Sequence, residues 1–285
     1  MCPACNRADR VIDGRWQLGP EIGRAGAVLY RATDLSDGMD VALKLPREDV
    51  DPVIWRAEIE AEAAMLSRLT HPAIVRLHAV GTQDGMPILA LHYLPGPDLR
   101  RDLQSGRIMA PAAAAQLLEG VADALAWLHR QGLVHGDVTP ANLVRDENGA
   151  PVLVDFATVR PVGLAPSRSA ARVLTTAYVA PGQLRGAPAD PRDDIYALAV
   201  IAYEMIAGRH PFARRCVQPG EVPQPPPGLP PPAWDGLRAA LCEEAALRPA
   251  DARAVPAALR RCESLPLAAR ISGWPLFGRR ARCPV

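Results

Sequence analysis

Two short segments near the middle of the chain carry the side chains best suited to chemistry. The first is the segment 135–142, in which the carboxylate of Asp137 is followed five residues later by the amide of Asn142. The second is the segment 154–157, which contains a further carboxylate, Asp155. Carboxylate and amide oxygens are ligands that Mg²⁺ prefers, and a positioned carboxylate can accept the proton of an attacking hydroxyl group. The spacing therefore predicts a metal-dependent site that acts on a hydroxyl group.

These segments resemble two motifs of the eukaryotic-type Ser/Thr protein kinases of bacteria. The segment 135–142 (His-Gly-Asp-Val-Thr-Pro-Ala-Asn) resembles the H-R-D-x-x-x-x-N catalytic loop, and the segment 155–157 (Asp-Phe-Ala) resembles the D-F-G metal motif. The resemblance implies that Asp137 orients the attacking hydroxyl group and accepts its proton, and that Asn142 and Asp155 bind Mg²⁺ beside ATP. It also implies a protein substrate with a Ser or Thr acceptor.

A lysine in the first part of the chain extends the resemblance. Lys44 ends the segment 41–44 (Val-Ala-Leu-Lys), which is similar to the V-A-I-K strand of protein kinases, so the resemblance assigns Lys44 to the α- and β-phosphates of ATP. In the family this lysine pairs with a glutamate on the following helix. Counting back from a Leu-Thr-His-Pro run that resembles L-x-H-P selects Glu62, and Glu58 or Glu60 takes this role if the helix register differs.

The predicted phosphate-covering loop departs most from the family pattern. The segment 22–30 resembles G-x-G-x-x-G-x-V-Y, but it has two glycines and is one residue short. Fewer glycines leave fewer backbone N–H groups able to approach phosphates closely, so we expect weaker affinity for ATP. Asp98 meets the ribose in this interpretation, or only caps the helix that begins at Leu99. The resemblance assigns the following residues to the nucleotide pocket: Ile22, Gly23, Gly26, Leu29, Ala42, Lys44, Glu62, Leu91, Tyr93, Leu94 and Asp98.

Two substitutions within the predicted catalytic loop have consequences. Thr139 stands where the family has a lysine that touches the γ-phosphate, so we expect reduced stabilisation of the transition state. Gly136 replaces the arginine that in the family binds a phosphorylated activation loop. We therefore expect that phosphorylation of the activation segment does not control activity. The candidate phosphorylation sites are Ser167, Ser169 and Thr175.

The segment 175–183 is similar to the G-T-P-A-Y-M-A-P-E-Q run that ends the activation segment of the family, with Gly182 in place of the glutamate. In the family this glutamate pairs with an arginine, whose equivalent is Arg248. We therefore expect Arg248 to stay hydrated or to find another partner. Asp194 begins a run similar to D-I-Y-A-L-G, which implies that it braces the backbone of the catalytic loop; capping of its own helix is the alternative.

The elements that must position these residues form a mixed half followed by a helical half. Hydrophobic periodicity and turn residues predict strands at 16–18, 28–30, 41–44, 74–80 and 87–94, and helices at 54–69, 112–130 and 195–207. The fold class is therefore α+β. The resemblance implies the bilobal protein kinase fold, with a five-stranded antiparallel sheet and one helix in the N-lobe and a mainly helical C-lobe.

The predicted domain limits follow from the same pattern. The proline-rich segment 219–232 is predicted to be an exposed loop, because proline is unsuited to helix interiors and central strands. The predicted limits are 1–14 for an N-terminal extension, 15–262 for the kinase domain with lobes 15–94 and 95–262, and 263–285 for a C-terminal tail.

The composition restricts the class of protein. The 32 basic residues balance 31 acidic ones, which gives no electrostatic signal for a nucleic-acid partner. The six cysteines show no repeated framework, which favours a reducing compartment, and the single C-x-x-C pair at residues 2–5 is a weak candidate for half a zinc site. We expect no signal peptide and no transmembrane segment, and hence a cytoplasmic protein. The sequence leaves the oligomeric state open.

Two other functions remain open at this level. The degenerate glycine loop and Thr139 are compatible with a pseudokinase that serves as a nucleotide-binding scaffold. The His-Gly-Asp run also occurs in small-molecule kinases of the aminoglycoside or choline type, although that class does not account for the segments 41–44 and 175–183. We favour a protein kinase because its motifs occur in the family's order from Ile22 to Arg248.

Overall fold

The computed structural model describes residues 10–24, 26–165, 177–213 and 220–262. The chain divides into two compact units. Unit 1 comprises the described residues up to Pro97 together with Val144–Thr158, and unit 2 comprises Asp98–Leu143 and the described residues from Val159 onward. These units differ from the predicted lobes, because a segment of the predicted C-lobe belongs to unit 1.

Unit 1 is built on one antiparallel sheet of six strands in the order β1-β2-β3-β4-β6-β5. Five of the strands confirm the prediction, and the sixth, β1, is additional. A strand of two residues is too short to show alternation, yet Ile12 of β1 is buried in the same core as Trp16 and Leu18. The strands are β1 (Val11–Ile12), β2 (Trp16–Arg24), β3 (Val28–Asp34), β4 (Asp40–Leu45), β5 (Leu77–Gln83) and β6 (Met86–His92).

The helix of unit 1, α1 (Pro52–Leu66), begins before the predicted residue 54. The side chain of Asp51 accepts hydrogen bonds from the first turn, and proline is favoured at the first helical position. The spacing of apolar residues predicts a buried face that consists of Ile54, Ala57, Ala61, Met65, Leu66 and Leu69. The buried face is formed instead by Trp55, Ile59, Glu62 and Leu66, and Ile54 is 47% exposed. The prediction was therefore correct at the end of the helix and wrong in its first turns, because a buried glutamate interrupts the apolar pattern.

A second segment completes unit 1. The strands β8 (Leu143–Arg145) and β9 (Pro151–Leu153) form a hairpin. The N–H of Gly96 donates to the carbonyl of Arg145 at 3.0 Å, and the N–H of Arg145 donates to the carbonyl of Pro97 at 3.1 Å. The N–H of Val75 donates to the carbonyl of Leu153 at 3.0 Å. These bonds explain why a sequence-distant hairpin belongs to unit 1.

Unit 2 is mainly helical, as predicted. Its central helix, α5 (Pro191–Ala207), begins after the N-cap Asp190 and is buried from Asp193 to Ile206. It forms the core on which α3 (Pro111–Arg130), α6 (Pro231–Ala240) and α7 (Ala254–Arg260) pack. Within the described residues there is no helix whose length and hydropathy would let it cross a lipid bilayer. The described elements are α2 (Leu99–Gln104), α3 (Pro111–Arg130), β7 (Leu133–Val134), β10 (Arg160–Pro161), α4 (Pro181–Leu184), α5 (Pro191–Ala207), α6 (Pro231–Ala240) and α7 (Ala254–Arg260).

The proline-rich segment 219–232 is not an exposed loop throughout. Pro223, Pro226 and Leu229 are buried, and the N–H of Leu229 donates to the carbonyl of Pro226 at 3.2 Å in a turn. Helix α6 then begins at Pro231, because proline is tolerated where the backbone N–H needs no partner within the helix.

Candidate functional site

The first group of candidate residues lies within unit 1. Lys44 extends from β4, and its side chain is 11% exposed. Its Nζ lies 2.7 Å from Oε2 of Glu62 on α1 and 3.2 Å from Oδ1 of Asp155. The helix carboxylate beside Lys44 is therefore Glu62, and neither Glu58 nor Glu60 takes this place.

In this cluster one ammonium group, that of Lys44, faces two carboxyl groups. Burial alone lowers the pKa of Lys44, but the carboxylates of Asp155 and Glu62 outweigh it and raise the pKa above its usual value. Lys44 therefore remains protonated at neutral pH. Burial raises the pKa of Glu62, and the charge of Lys44 opposes this effect. Asp155 is still 46% exposed, so its carboxylate is the group of this cluster that can reach a cation from solvent. A hard oxygen ligand of this kind suits Mg²⁺.

The backbone around Asp155 is also fixed within unit 1. Asp155 has a positive φ of 63°, which is uncommon outside glycine and occurs preferentially at functional sites. The N–H of Phe156 donates to Oε1 of Glu62 at 3.3 Å, and the Phe156 ring is buried. Glu62 thus holds both Lys44 and the backbone beside Asp155, and Phe156 contributes packing.

The second group lies within unit 2, in the loop that follows β7. Asn142 ends a 3₁₀ turn at Pro140–Asn142. Its Nδ2 donates to the backbone carbonyl of Asp137 at 2.9 Å and to Oδ2 of Asp137 at 3.0 Å. These two bonds fix the Asp137 carboxylate against its own backbone. Because the amide nitrogen is used in this way, the amide oxygen of Asn142 is the atom suited to a cation.

Asp194 at the start of α5 braces this loop. Its Oδ2 accepts the N–H of His135 at 2.9 Å, and its Oδ1 accepts the N–H of Gly136 at 2.8 Å. The cap of α5 is Asp190, so the capping alternative does not describe Asp194. Burial alone would raise the pKa of Asp194, but hydrogen bonds from His129 and the loop lower it, so Asp194 is ionised.

Arg248 has found another partner in the absence of the A-P-E glutamate. Its guanidinium is fully buried and lies 3.3 Å from Oδ1 of Asp193. It also donates to the backbone carbonyls of Arg192, Cys242 and Glu243. Burial raises the pKa of Asp193 to about 6, although the charge of Arg248 opposes this effect. Asp193 therefore takes the place that the glutamate has in the family.

The remaining pocket candidates of the glycine loop lie in unit 1. Ile22 and Gly23 belong to β2, Leu29 belongs to β3, and Gly23 pairs with Leu29 across the two strands. Gly26 lies in the connection between these strands and is exposed. Strands β2 and β3 are paired antiparallel on either side of this connection, and a phosphate contact by its glycines stays a prediction.

Strands β4 and β6 bring two further pocket candidates together. Ala42 pairs directly with Leu91, and Tyr93 and Leu94 follow β6. The guanidinium of Arg31 lies 5.0 Å from the centre of the Tyr93 ring, so this ring is held by β3 through a cation–π contact.

Asp98 belongs to unit 2 and caps α2. Its Oδ1 accepts the N–H of Arg101 at 3.2 Å. This is the capping role that the sequence left as an alternative, and a ribose contact for Asp98 stays a prediction.

A further group in unit 1 has the ligand types of a metal site but a different role. Asp34, Asp37 and His78 offer ligand atoms within 4.8 Å of one another. Asp34, however, accepts two hydrogen bonds from Nε of Arg15, and Arg15 and the bond from Ser36 lower the pKa of Asp34. Because the arginine already neutralises this carboxylate, we assign the group to stabilisation of the sheet.

Two residues of the loop environment were missed by sequence reasoning. Nε2 of His129 donates to Oδ2 of the ionised Asp194 at 2.9 Å, and Gln183 donates to the carbonyl of Gly136 at 3.0 Å. The only sequence signal for Gln183 is its place after the A-P-E-like run. Ser167, Ser169 and Thr175, the cysteine pair at residues 2–5 and the tail 263–285 lie outside the described residues.

The sequence of this chain is similar to those of known protein kinases. The family model described as protein kinase domain matches residues 16–221. A probable serine/threonine-protein kinase of Streptomyces coelicolor is 35% identical over 213 residues, which cover 71% of this chain and 32% of the relative. Serine/threonine-protein kinase PknB of Mycolicibacterium smegmatis is 33% identical over 211 residues, covering 70% of this chain and 34% of the relative.

Serine/threonine-protein kinase PknL of Mycobacterium tuberculosis is 34% identical over 207 residues, covering 71% of this chain and 51% of the relative. The chain thus spans about a third to a half of the length of these relatives.

Proposed function

Since this chain belongs to the protein kinase family, we propose that it transfers the γ-phosphate of Mg-ATP to Ser or Thr hydroxyl groups of a protein substrate. The observation that carries the proposal is the contact of Lys44 with Glu62 at 2.7 Å and with Asp155 at 3.2 Å. A lysine held in this way is the phosphate-binding group of protein kinases. The names of the relatives support serine and threonine as acceptors.

Each residue then has a defined role. Lys44 neutralises the α- and β-phosphates, while Glu62 keeps the ammonium group in place. Asp155 and Asn142 are the residues that would hold Mg²⁺, which when bound neutralises charge on the phosphates. Asp137 orients the acceptor hydroxyl and takes its proton as the new O–P bond forms and the bond to ADP breaks. Asn142 also fixes the Asp137 carboxylate through its amide nitrogen.

The composition of the chain also supports a chemical role for Lys44. It is the only lysine in the chain, and the other members of the 32 basic residues are all arginines. An overall preference for arginine therefore does not explain this position. An ammonium group is compact and points three donors at phosphates, which a planar guanidinium cannot reproduce in the same space.

The rate of this reaction is expected to be modest. Thr139 is 3% exposed and neutral, so it offers no positive charge to the γ-phosphate. The stabilisation of the developing charge then depends on other groups, among them Lys44. We therefore propose a functional but slow kinase.

Transfer of labelled phosphate from ATP to a generic protein acceptor tests the proposal. We expect incorporation at Ser or Thr, identified by mass spectrometry, and its loss in Asp137→Asn. Asp123→Asn is a matched control, because Asp123 is an exposed carboxylate on α3 of the same unit, and it should retain wild-type incorporation. Magnesium-dependent nucleotide binding, measured by calorimetry, should survive in Asp137→Asn.

A pseudokinase scaffold is the second candidate, favoured by the two-glycine loop and by the neutral Thr139. It predicts magnesium-dependent nucleotide binding without incorporation in the wild-type protein. A small-molecule kinase predicts ATP turnover with a small alcohol and none with protein. We further propose limits of 15–262 for the kinase domain and a cytoplasmic location.

A further inference from the structure

Gln183 uses both ends of its side chain within unit 2. It lies in the short helix α4, and its Oε1 accepts the N–H of Ala180 at 3.1 Å. Its Nε2 donates to the backbone carbonyl of Gly136 at 3.0 Å. An amide supplies an acceptor and a donor on separate atoms, so Gln183 links the segment before α4 to the loop that contains Asp137.

The contacted residue, Gly136, has the backbone of that loop that is least restricted by a side chain. It has a φ of +81°, and glycine is the residue with the greatest backbone freedom. Its N–H is bound by Asp194 at 2.8 Å, so its carbonyl is the other group that must be held. That carbonyl belongs to the peptide unit whose nitrogen is that of Asp137. Rotation of this peptide plane therefore moves the Asp137 carboxylate.

We propose that Gln183 is a positioning residue that sets the orientation of Asp137 by holding the Gly136–Asp137 peptide plane. This inference rests on the proposed function. Asp194 fixes the plane on one side of Gly136, Gln183 fixes it on the other, and Asn142 fixes the carboxylate itself at 3.0 Å. A side chain at position 136 could take part of this task, but glycine has none.

Gln183→Glu tests the proposal with an almost unchanged shape. The variant keeps an acceptor for the N–H of Ala180 but presents a carboxylate oxygen to the carbonyl of Gly136. We expect kcat to fall by about tenfold above neutral pH, because small misplacement of a reacting group has large effects on rate. We expect the KM for ATP to change by less than about twofold, since the nucleotide-binding residues are untouched.

The pH dependence of the variant gives a second readout. The crevice beside Gln183 is lined by the titratable groups of Asp137, Asp193, Asp194 and Tyr178. Like charges raise the pKa of a carboxyl group, so the introduced group should take up a proton at mildly acidic pH and regain a donor for the Gly136 carbonyl. The ratio of variant to wild-type kcat should therefore rise as the pH falls. Loss of general stability would not produce this recovery.

Further variants complete the experiment. Gln183→Leu lacks both polar ends, so its kcat should be low at every pH, and hydrogen exchange of the loop 135–138 should be faster than in the wild type. Gln131→Glu and Gln131→Leu make the same changes at an exposed glutamine of unit 2 and should leave kcat and exchange unchanged.

The outcomes separate the two proposals. Wild-type kcat in Gln183→Glu, or a loss that does not depend on pH and is matched by a rise in KM, would overturn the positioning role while the kinase activity stands. A wild-type protein without phosphate incorporation would instead contradict the proposed function. In that case the exchange measurement still decides whether Gln183 holds the loop.

Discussion

The candidate residues of unit 1 are held by charged side chains, whereas the loop of unit 2 is held by hydrogen bonds to its backbone. In unit 1, Lys44 lies between Glu62 and Asp155 and its position depends on charge. In unit 2, Asp194 and Gln183 bind the peptide groups around Gly136. The two units should therefore respond to different substitutions: unit 1 to a change of charge or head-group shape, and unit 2 to the loss of a single donor or acceptor.

Lys44→Arg is the substitution with the largest expected effect. The charge is kept, but the larger planar head group does not fit the buried place between Glu62 and Asp155, so the contact with phosphates is lost. We expect kcat/KM for ATP to fall by a factor on the order of 10²–10³, as for Lys44→Met. Steady-state phosphate incorporation measures this effect, and exposed Arg47→Met serves as the control in unit 1. Activity of Lys44→Arg within about twofold of the wild type would show that charge alone is sufficient.

Arg248→Met tests whether a buried charge in unit 2 serves stability and not catalysis. The variant leaves Asp193 buried without its cation and removes the hydrogen bonds that Arg248 donates to three backbone carbonyls. Breaking a buried pair in this way costs about 3 kcal/mol in the free energy of unfolding. Chemical denaturation measures the cost, and Arg185→Met is the control because the Arg185 side chain is 57% exposed in its pair with Glu243. The kcat of the folded fraction at low temperature should stay near that of the wild type. A fall in activity as large as that of Lys44→Arg would show that Arg248 also serves catalysis.

Gly96→Ala tests a place where unit 1 also depends on a close backbone approach. A Cβ atom at Gly96 would lie 2.5 Å from Cβ and 2.7 Å from the carbonyl oxygen of Arg145. Overpacking of this kind costs about 2 kcal/mol, because the hairpin of β8 and β9 must shift away from residues 96 and 97. Thermal unfolding measures the loss of stability. Gly26→Ala is the matched control, since no heavy atom lies within 4 Å of its Cβ position and its φ is not positive. Equal stability of the two variants would refute the close approach.

The elements and residues that local sequence patterns encode were predicted. The contacts between residues far apart in the chain were not. Five strands and the helices α1, α3 and α5 follow from periodicity, and a Leu-Thr-His-Pro run selected Glu62. The buried face of α1 was misread, because a glutamate paired with a lysine 18 residues away occupies an apolar position. The partner of Arg248 could not be read at all, since Asp193 lies 55 residues earlier in the chain. Gln183 escaped for the same reason, because its contact with Gly136 joins residues 47 positions apart.

The smallest expected effect concerns the pH dependence of stability in unit 2. The pKa of Asp193 is raised to about 6 in the folded protein from a usual value of 3.8. The folded state therefore binds more protons than the unfolded state between these values, so the contribution of Asp193 to stability increases as the pH falls and is lost as the pH rises through about 6. Between about pH 7 and about pH 5, the free energy of unfolding of the wild type should gain about 1 kcal/mol relative to Asp193→Asn.

Urea denaturation of both proteins across this range measures the difference, and Asp235→Asn, at an exposed carboxylate of α6, should show no such change relative to the wild type. Asp193 is ionised at neutral pH because Arg248 lies beside it. This pair in unit 2 is held by charge, as Lys44 is held in unit 1. Since Asp193 stabilises α5 and not the peptide groups of the loop, kcat should not follow the stability curve. A wild-type advantage that shrinks as the pH falls would mean that Arg248, and not burial, dominates the titration of Asp193.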